Sequence, residues 1–172
     1  KNINNMFMAG RNISATKLGM CSTRILGCCA IGGQAVGAAA ALCKKYGCNP
    51  RELQPHVKEL QQIILKNDGF LPQLKNEDES DLARDAKFGA TSFKADCEPQ
   101  KVVDGVSRKL GNDMHAWVSD GIADGGEVLT MAFDAPKTVS ELRYTFHSDF
   151  SYPIRVTMSP QRQKQQRIGI PA

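Results

Sequence analysis

The stretch that decides the fold runs from Met6 to Leu42 and reads MFMAGRNISATKLGMCSTRILGCCAIGGQAVGAAAAL. An apolar, strand-like run ends at Ala9, Gly10 lets the backbone approach another group closely, and a helix rich in small residues is predicted to start at Ser22. A glycine turn that leads into a helix N-terminus offers unpaired backbone N–H groups and about half a positive charge. The stretch therefore predicts a site for a negatively charged group.

The predicted helix runs from about Ser22 to Tyr46 and carries glycine and alanine at three- to four-residue steps. Such a stripe allows close packing against another backbone, and glycine would otherwise cost about 1 kcal/mol per residue relative to alanine. We therefore expect the helix to be buried. Its Gly32–Gly37 segment matches neither G-x-G-x-x-G nor the P-loop motif, so close packing explains these glycines better than phosphate binding.

The next segment carries the signals of a second helical region. Gly47 predicts the end of the long helix, while Asn49, Pro50 and Glu52 predict a new helix start with a capping box. An amphipathic helix is expected over 56–67, and a polar, acidic linker over 70–87.

Beyond the linker the hydrophobic period changes from helical to alternating. Strands are predicted over 90–95, 128–133, 139–146 and 154–158, separated by turn signals. These are fewer than the seven or eight strands of a closed sandwich or jelly roll. The predicted fold class is thus an α+β fragment: a helical segment over 1–69, the linker over 70–87, and an incomplete antiparallel β-sandwich over 88–172.

Composition excludes several classes of function. The 172-residue chain has a net charge of +4 and 41% hydrophobic residues, which are ordinary values for a globular protein. Its basic residues are dispersed and lack interleaved aromatics, so nucleic-acid binding is not expected. No 18-residue apolar run is apparent on inspection, so no membrane span is expected either.

The six cysteines are predicted to be buried, reduced thiols. Five of them fall between Cys21 and Cys48, but they form neither a CxxC pair nor a zinc-type ligand set. Four aspartates of the second half also match no EF-type calcium loop and are better explained as turn residues. No metal site is therefore predicted. These aspartates are Asp104, Asp113, Asp120 and Asp124.

Three motifs in order, FMAGRNISAT, STRI and GQAVGAAAALC, resemble the last flavin-binding segment of the FAD-dependent oxidoreductases that share the architecture of fumarate reductase and glutathione reductase. The resemblance extends from about Met6 to Asp85 and implies FAD as the cofactor. In the family, the residues that correspond to Gly10, Arg11 and Asn12 lie beside the ribityl-phosphate part of FAD, and the resemblance implies the same position for them here. It implies that the backbone amides of a second group face the C2 carbonyl of the flavin ring, namely Ser22, Thr23 and Arg24.

Two departures from this family pattern limit what the chain is expected to do. Lys17 stands where relatives often have a histidine, so a proton-transfer role there is not predicted. No G-x-G-x-x-G turn precedes Met6, and that turn normally holds the FAD pyrophosphate. We therefore expect a C-terminal piece of a flavoenzyme that acts on a small-molecule substrate, inactive alone and compatible with a periplasmic or secreted location. The oligomeric state stays open.

The second half resembles the discoidin-like, or galactose-binding-like, β-sandwich that follows the flavin domain in some of these proteins. The matching motifs are Val103-Asp104-Gly105, Trp117-Val118-Ser119 and a hairpin over 129–142. The alternative function is thus a non-catalytic module that binds a carbohydrate or a surface. Trp117 with His115 could form its aromatic platform, although a core position for Trp117 is favoured. No acid-base catalyst is assigned among the three histidines, His56, His115 and His147.

Overall fold

The computed structural model describes residues 3–146. These residues fall into two compact units, which divide between Asp81 and Leu82. The division lies within the segment predicted as a linker. The first unit contains three α-helices, α1 (Lys17–Thr23), α2 (Leu26–Tyr46) and α3 (Val57–Lys66), and 3₁₀ helices at Gly10–Asn12 and Pro50–His56. The second contains strands β1 (Lys87–Ala90) and β2 (Leu129–Ala132), with 3₁₀ helices at Leu82–Asp85 and Pro99–Val103.

The predicted helix from Ser22 to Tyr46 is in fact two helices. Helix α1 ends at Thr23, and Ile25 adopts an extended backbone as the N-cap residue of α2. Thr23 donates its hydroxyl to the carbonyl oxygen of Gly19 at 3.0 Å. β-branched residues on both sides of Arg24 lose side-chain freedom in a helix, which makes this a favourable place for the break. The long helix therefore starts four residues later than expected.

The predicted strand-like run before Gly10 also differs from the expectation. Within the described residues, 3–9 form no ladder with another strand, although Ala9 itself has extended torsion angles. A strand is defined by pairing with a neighbour, and an apolar run supplies the propensity but not the partner. The run is therefore extended chain leading into the 3₁₀ turn.

Signals at the end of α2 are confirmed. Gly47 takes the left-handed conformation at φ 62°, and Pro50 begins the next 3₁₀ helix. The carboxylate of Glu52 accepts a hydrogen bond of 2.7 Å from the backbone N–H of Asn49, as a capping box requires. The expected amphipathic helix corresponds to α3, which begins one residue later than predicted.

The core of the first unit lies where α2, the second 3₁₀ helix and α3 meet. Its buried centre consists of Ala39, Leu42 and Leu53, and Leu60 and Ile63 of α3 pack against it. Polar contacts add to this junction at the surface. Glu59 of α3 accepts from the Lys45 ammonium at 2.7 Å and from the Tyr46 hydroxyl at 2.6 Å, and the Tyr46 ring stacks on His56 at 3.7 Å between centroids.

The first part of the predicted linker packs on α3. The Gln62 side-chain amide donates to the Lys75 carbonyl oxygen at 3.0 Å and accepts from the Glu77 N–H at 2.8 Å. Lys66 forms an ion pair with Asp78 at 2.6 Å, and its hydrogen bond to Asp78, assisted by Ser80, lowers the pKa of that carboxyl to about 2. Residues 70–81 therefore belong to the first unit.

The described part of the second unit contains one antiparallel pair of strands. Lys87 pairs with Ala132 and Ala90 pairs with Leu129. The strand predicted over 128–133 is confirmed as β2. The strand predicted over 90–95 is wrong beyond its first residue, because β1 runs from Lys87 to Ala90. Residues 139–146 form no strand, so the predicted hairpin over 129–142 is wrong, and 154–158 lie outside the described residues. Alternation indicates strand propensity, but the partner of each strand is a distant segment.

Helix α2 is long and apolar enough to cross a bilayer by length and composition. An 18-residue window within its 21 residues reaches a mean hydropathy of 1.6, and 11% of that window is buried. The expectation that no apolar run of that length occurs is therefore wrong, because the alanine and cysteine residues, together with leucine, isoleucine and valine, raise the average. These criteria are weak grounds for a membrane span, since a core helix or a signal sequence also meets them. The absence of a span stays a prediction.

Candidate functional site

Gly10 forms a corner in the backbone before α1. It begins the Gly10–Asn12 turn with φ +82°, a left-handed conformation that L-residues rarely adopt. A Cβ atom placed on Gly10 would lie 3.7 Å from its nearest neighbour, Oδ1 of Asn12, which is ordinary contact. The torsion angle therefore explains the glycine, and the space beside it is free within the described structure. Arg11 and Asn12 are both exposed at this corner.

The corner packs on the first half of α2. A Cβ atom on Gly32 would lie 3.9 Å from the Cβ of Ala9, so this glycine faces the chain that leads into the corner. Cβ atoms on Gly27, Gly33 and Gly37 would meet nothing within 4 Å. The predicted burial of the whole stripe is thus wrong for the described residues. The buried residues of α2 are Ala39 and Leu42, in its second half.

The residues predicted to offer helix N-terminal amides do not lie at a helix N-terminus. Ser22 and Thr23 occupy the last turn of α1, where backbone N–H groups are bonded within the helix. Arg24 is the C-cap residue of α1, and its N–H donates to the Met20 carbonyl oxygen at 3.3 Å. The break between the helices is the reason, because it places these three residues before α2 rather than in it.

The N-terminus of the long helix instead exposes the amides of Leu26, Gly27 and Cys28. They precede the first intrahelical bond, which runs from the Cys29 N–H to the Ile25 carbonyl oxygen at 3.0 Å. Ile25 has no side-chain oxygen and makes no capping hydrogen bond, and the first turn of α2 contains no acidic residue. A helix of 21 residues thus begins with open donors and the positive end of its dipole.

Helix α1 has a side-chain cap that sequence reasoning missed. Thr16 is its N-cap residue, and the Thr16 hydroxyl accepts a hydrogen bond of 3.1 Å from the Gly19 N–H. A threonine followed by helix-forming residues was the available signal. Lys17 is the first residue of α1 and is exposed, as expected for a solvated lysine rather than a proton donor.

All six cysteines are free thiols, but the prediction that they are buried is wrong for most of them. Cys21 and Cys28 are exposed, Cys97 is buried, and the other three are half-buried. Helical spacing predicts the face of α2 on which Cys28 lies but not whether that face is covered, and in this structure Cys28 is exposed. The half-buried thiols are Cys29, Cys43 and Cys48.

His115 is held between two carboxylates in the second unit. Its Nδ1 lies 2.5 Å from Oδ2 of Asp104 and its Nε2 lies 3.5 Å from Oδ2 of Asp113. Lys101 binds the other oxygen of Asp113 at 2.7 Å, and Asp104 also accepts from the Val106 N–H at 2.9 Å. These contacts use Asp104 and Asp113 as structural acceptors. Within 3–146 no group of three or more His, Cys, Asp or Glu could hold a metal ion.

Trp117 is anchored rather than displayed. The ring is half-buried, and its indole N–H donates to the Ser92 carbonyl oxygen at 2.9 Å. The Ser92 hydroxyl in turn donates to Glu127 at 2.7 Å. The contact supports a packing role for Trp117, since its polar edge is fixed inside the unit. His56 is stacked on Tyr46 in the first unit, and His147 lies outside the described residues.

Comparison with models of known families matches residues 1–64 to the family described as FAD dependent oxidoreductase. FAD is the cofactor that this family implies. The match covers the Gly10 corner, α1, α2 and most of α3. No curated protein and no solved structure matches the chain.

Proposed function

We propose that the first unit forms one edge of the FAD site of an oxidoreductase. The observation that carries the proposal is geometric: α2 has an uncapped N-terminus, and the Gly10 corner packs against the same helix. The corner packs near Gly32, six residues after Leu26 and therefore about 9 Å along the helix axis. Two features that suit a negatively charged, elongated cofactor are thus supported by one rigid element.

The start of α2 suits the pyrimidine end of the flavin ring. FAD supplies electron and hydride transfer when bound, and its reduced ring carries negative charge at N1 and the C2 carbonyl. The amides of Leu26, Gly27 and Cys28 would donate to that region in place of the amides of Ser22, Thr23 and Arg24. Since the helix dipole stabilises a nearby anion, this end of α2 would raise the reduction potential of the flavin.

The Gly10 corner suits the ribityl-phosphate region. Its left-handed backbone leaves free space where any larger residue would place a side chain. The exposed guanidinium of Arg11 and the exposed amide of Asn12 offer hydrogen-bond donors to phosphate or hydroxyl groups. These residues bind and orient the cofactor. We assign them no part in proton transfer, and the substrate is proposed to be a small molecule.

The carbohydrate- or surface-binding alternative for the second unit has less support. Strands β1 and β2 agree with an antiparallel domain of the galactose-binding-like type, but Trp117 is fixed by its bond to Ser92. His115 is likewise occupied by Asp104. Neither side chain is available as an open platform, so the flavin proposal is preferred.

A pair of substitutions at the start of α2 tests the proposal in the complete, flavin-loaded protein. Gly27→Glu and Gly27→Gln have almost the same size, so a difference between them reports charge alone. We expect the Glu variant to lower the flavin midpoint potential relative to the Gln variant, because a carboxylate beside N1 opposes reduction. Gln54→Glu, which adds the same charge at an exposed residue of the second 3₁₀ helix, should leave the potential unchanged.

A second measurement addresses cofactor binding by the 172-residue chain itself. Fluorescence titration with FAD should detect no binding at micromolar concentrations. The 172-residue chain contains no G-x-G-x-x-G turn, and such a turn would contribute several charge-assisted hydrogen bonds to the pyrophosphate, each worth about 1.5–3 kcal/mol. Tight binding by this chain alone would contradict the idea that it forms a single edge. Equal potentials for the two Gly27 variants would contradict the placement of the flavin.

A further inference from the structure

The C-terminal end of α2 brings two cysteines together. Gly47 ends the helix in a left-handed conformation, and the backbone N–H of Cys48 returns to the carbonyl oxygen of Cys43 at 3.0 Å. This is the hydrogen bond of a Schellman motif, in which the residues at its two ends also place their side chains in contact. In most proteins that contact is between apolar side chains, whereas here it is between two thiols.

The immediate surroundings hold both thiols in place. Cys43 and Cys48 are half-buried and pack against the core cluster of Ala39, Leu42 and Leu53. The Cys48 side chain lies close enough to Cys43 to raise the pKa of the Cys43 thiol. A direct backbone hydrogen bond also keeps the two Cα atoms close, and a disulfide requires a Cα separation of about 4.4–6.8 Å. The backbone hydrogen bond therefore keeps the two cysteines next to each other at the end of the helix.

We propose that Cys43 and Cys48 form a redox-reactive dithiol, which a small-molecule disulfide oxidises to an intrachain disulfide across the end of α2. In the first step the sulfur of one cysteine attacks the small disulfide, forms a mixed disulfide and releases one small thiol. In the second step the other cysteine attacks the mixed disulfide and releases the second small thiol. Two protein thiols are oxidised, and one small disulfide is reduced to two thiols. The proposal does not depend on flavin binding.

The environment also suggests an order for the two sulfurs. Burial raises the pKa of the Cys43 thiol, and its hydrogen bond with Cys48 and the nearby Glu52 charge act in the same direction. A thiol that keeps its proton is a poor attacking group. The raised pKa disfavours Cys43 as the first attacking thiol, and single variants assign the order.

Peptide mapping of the 172-residue chain tests the proposal. After treatment with oxidised glutathione and alkylation of the remaining thiols, trypsin cleaves at Lys44, Lys45 and Arg51 and separates the two cysteines. We expect the peptide that ends at Lys44 to be joined to the peptide 46–51. Because the first of these also contains Cys28 and Cys29, the Cys28→Ser/Cys29→Ser variant should give the same joined peptides.

Single variants test the order of attack and provide the controls. Cys43→Ser should accumulate a stable glutathione adduct on Cys48, whereas Cys48→Ser should react at least several-fold more slowly at Cys43. Far-UV circular dichroism checks that both variants keep their helices. Phenylarsine oxide bridges neighbouring thiols and is tested in the Cys28→Ser/Cys29→Ser background, where it should bind the chain with Cys43 and Cys48 intact and neither further single variant. Alkylation of both cysteines after oxidation, or arsenical binding that survives Cys43→Ser, would overturn the proposal.

Discussion

Replacing Gly10 with valine separates backbone strain from loss of the proposed flavin contact. The φ of +82° is left-handed, and an L-residue there costs about 1–2 kcal/mol. No steric clash adds to this within the described structure, because the nearest atom to a new Cβ is 3.7 Å away. Urea unfolding of the 172-residue chain, followed by far-UV circular dichroism, should therefore show a loss of about that size.

The flavin-loaded protein should respond more strongly than the stability of the chain alone would suggest. A valine side chain would fill the space that the ribityl-phosphate region is proposed to occupy, and one lost hydrogen bond to a charged group costs about 1.5–3 kcal/mol. That corresponds to at least a roughly tenfold loss of affinity. The ratio of flavin to protein absorbance after gel filtration measures the effect directly.

Two further variants make the result decisive. Gly111 in the second unit is also left-handed, at φ +61°, and also has free space around it, so Gly111→Val carries similar strain without the proposed cofactor contact. Gly10→Asn tolerates the torsion angle better than valine but still adds a side chain at the corner. We expect flavin content to fall in both Gly10 variants and to be retained in Gly111→Val. Equal flavin content in Gly10→Val and Gly111→Val would refute the reasoning.

Three other perturbations address the first unit. Gly69→Ala would place a Cβ atom 2.4 Å from Cγ2 of Ile64 and 2.6 Å from the Ile64 carbonyl oxygen, so urea unfolding should show a loss of about 1–3 kcal/mol, with Gly121→Ala, which has free space, as the near-neutral control. Asp78→Asn should lower stability at neutral pH by about 1 kcal/mol after allowance for solvent screening. The folded-state pKa of Asp78 is lowered from 3.8 to about 2, so its contribution to stability is complete above pH 3.8 and is lost as the pH falls towards 2. The unfolding free energies of the two proteins should therefore converge near pH 2. A constant difference between them across that range would contradict the assignment. Thiol titration under denaturing conditions should find six free groups in the reduced chain and four after mild oxidation, and a count of six after oxidation would count against the Cys43–Cys48 pair.

Local signals in the sequence determined the end of the long helix and the start of the next helical segment. Gly47, Pro50 and Glu52 act through their own torsion angles and through hydrogen bonds to residues a few positions away, so their effect is visible in a short window. The flavin-binding motifs are also consecutive in the chain, which is why the resemblance and the family match over residues 1–64 agree.

The start of the long helix was decided by a subtler balance. Thr16 through Tyr46 contains no proline, so composition alone permits one continuous helix from α1 into α2. The structure interrupts it at Arg24 and Ile25, and this moves the open amides from Ser22 to Leu26. A single residue in an extended conformation is enough for the change, and its energy is small compared with that of the helices on either side.

Strand pairing was decided by the tertiary structure. Alternating residues predicted several strands, but β1 found its partner in β2, a segment about forty residues away, while 139–146 did not join the pair. Side-chain alternation is a property of one segment, whereas a ladder needs backbone donors and acceptors from two segments at matching positions. The sequence by itself therefore determined where the long helix ends and the cofactor class that the family match implies. The three-dimensional structure decided which strands form within the described residues and where the long helix begins.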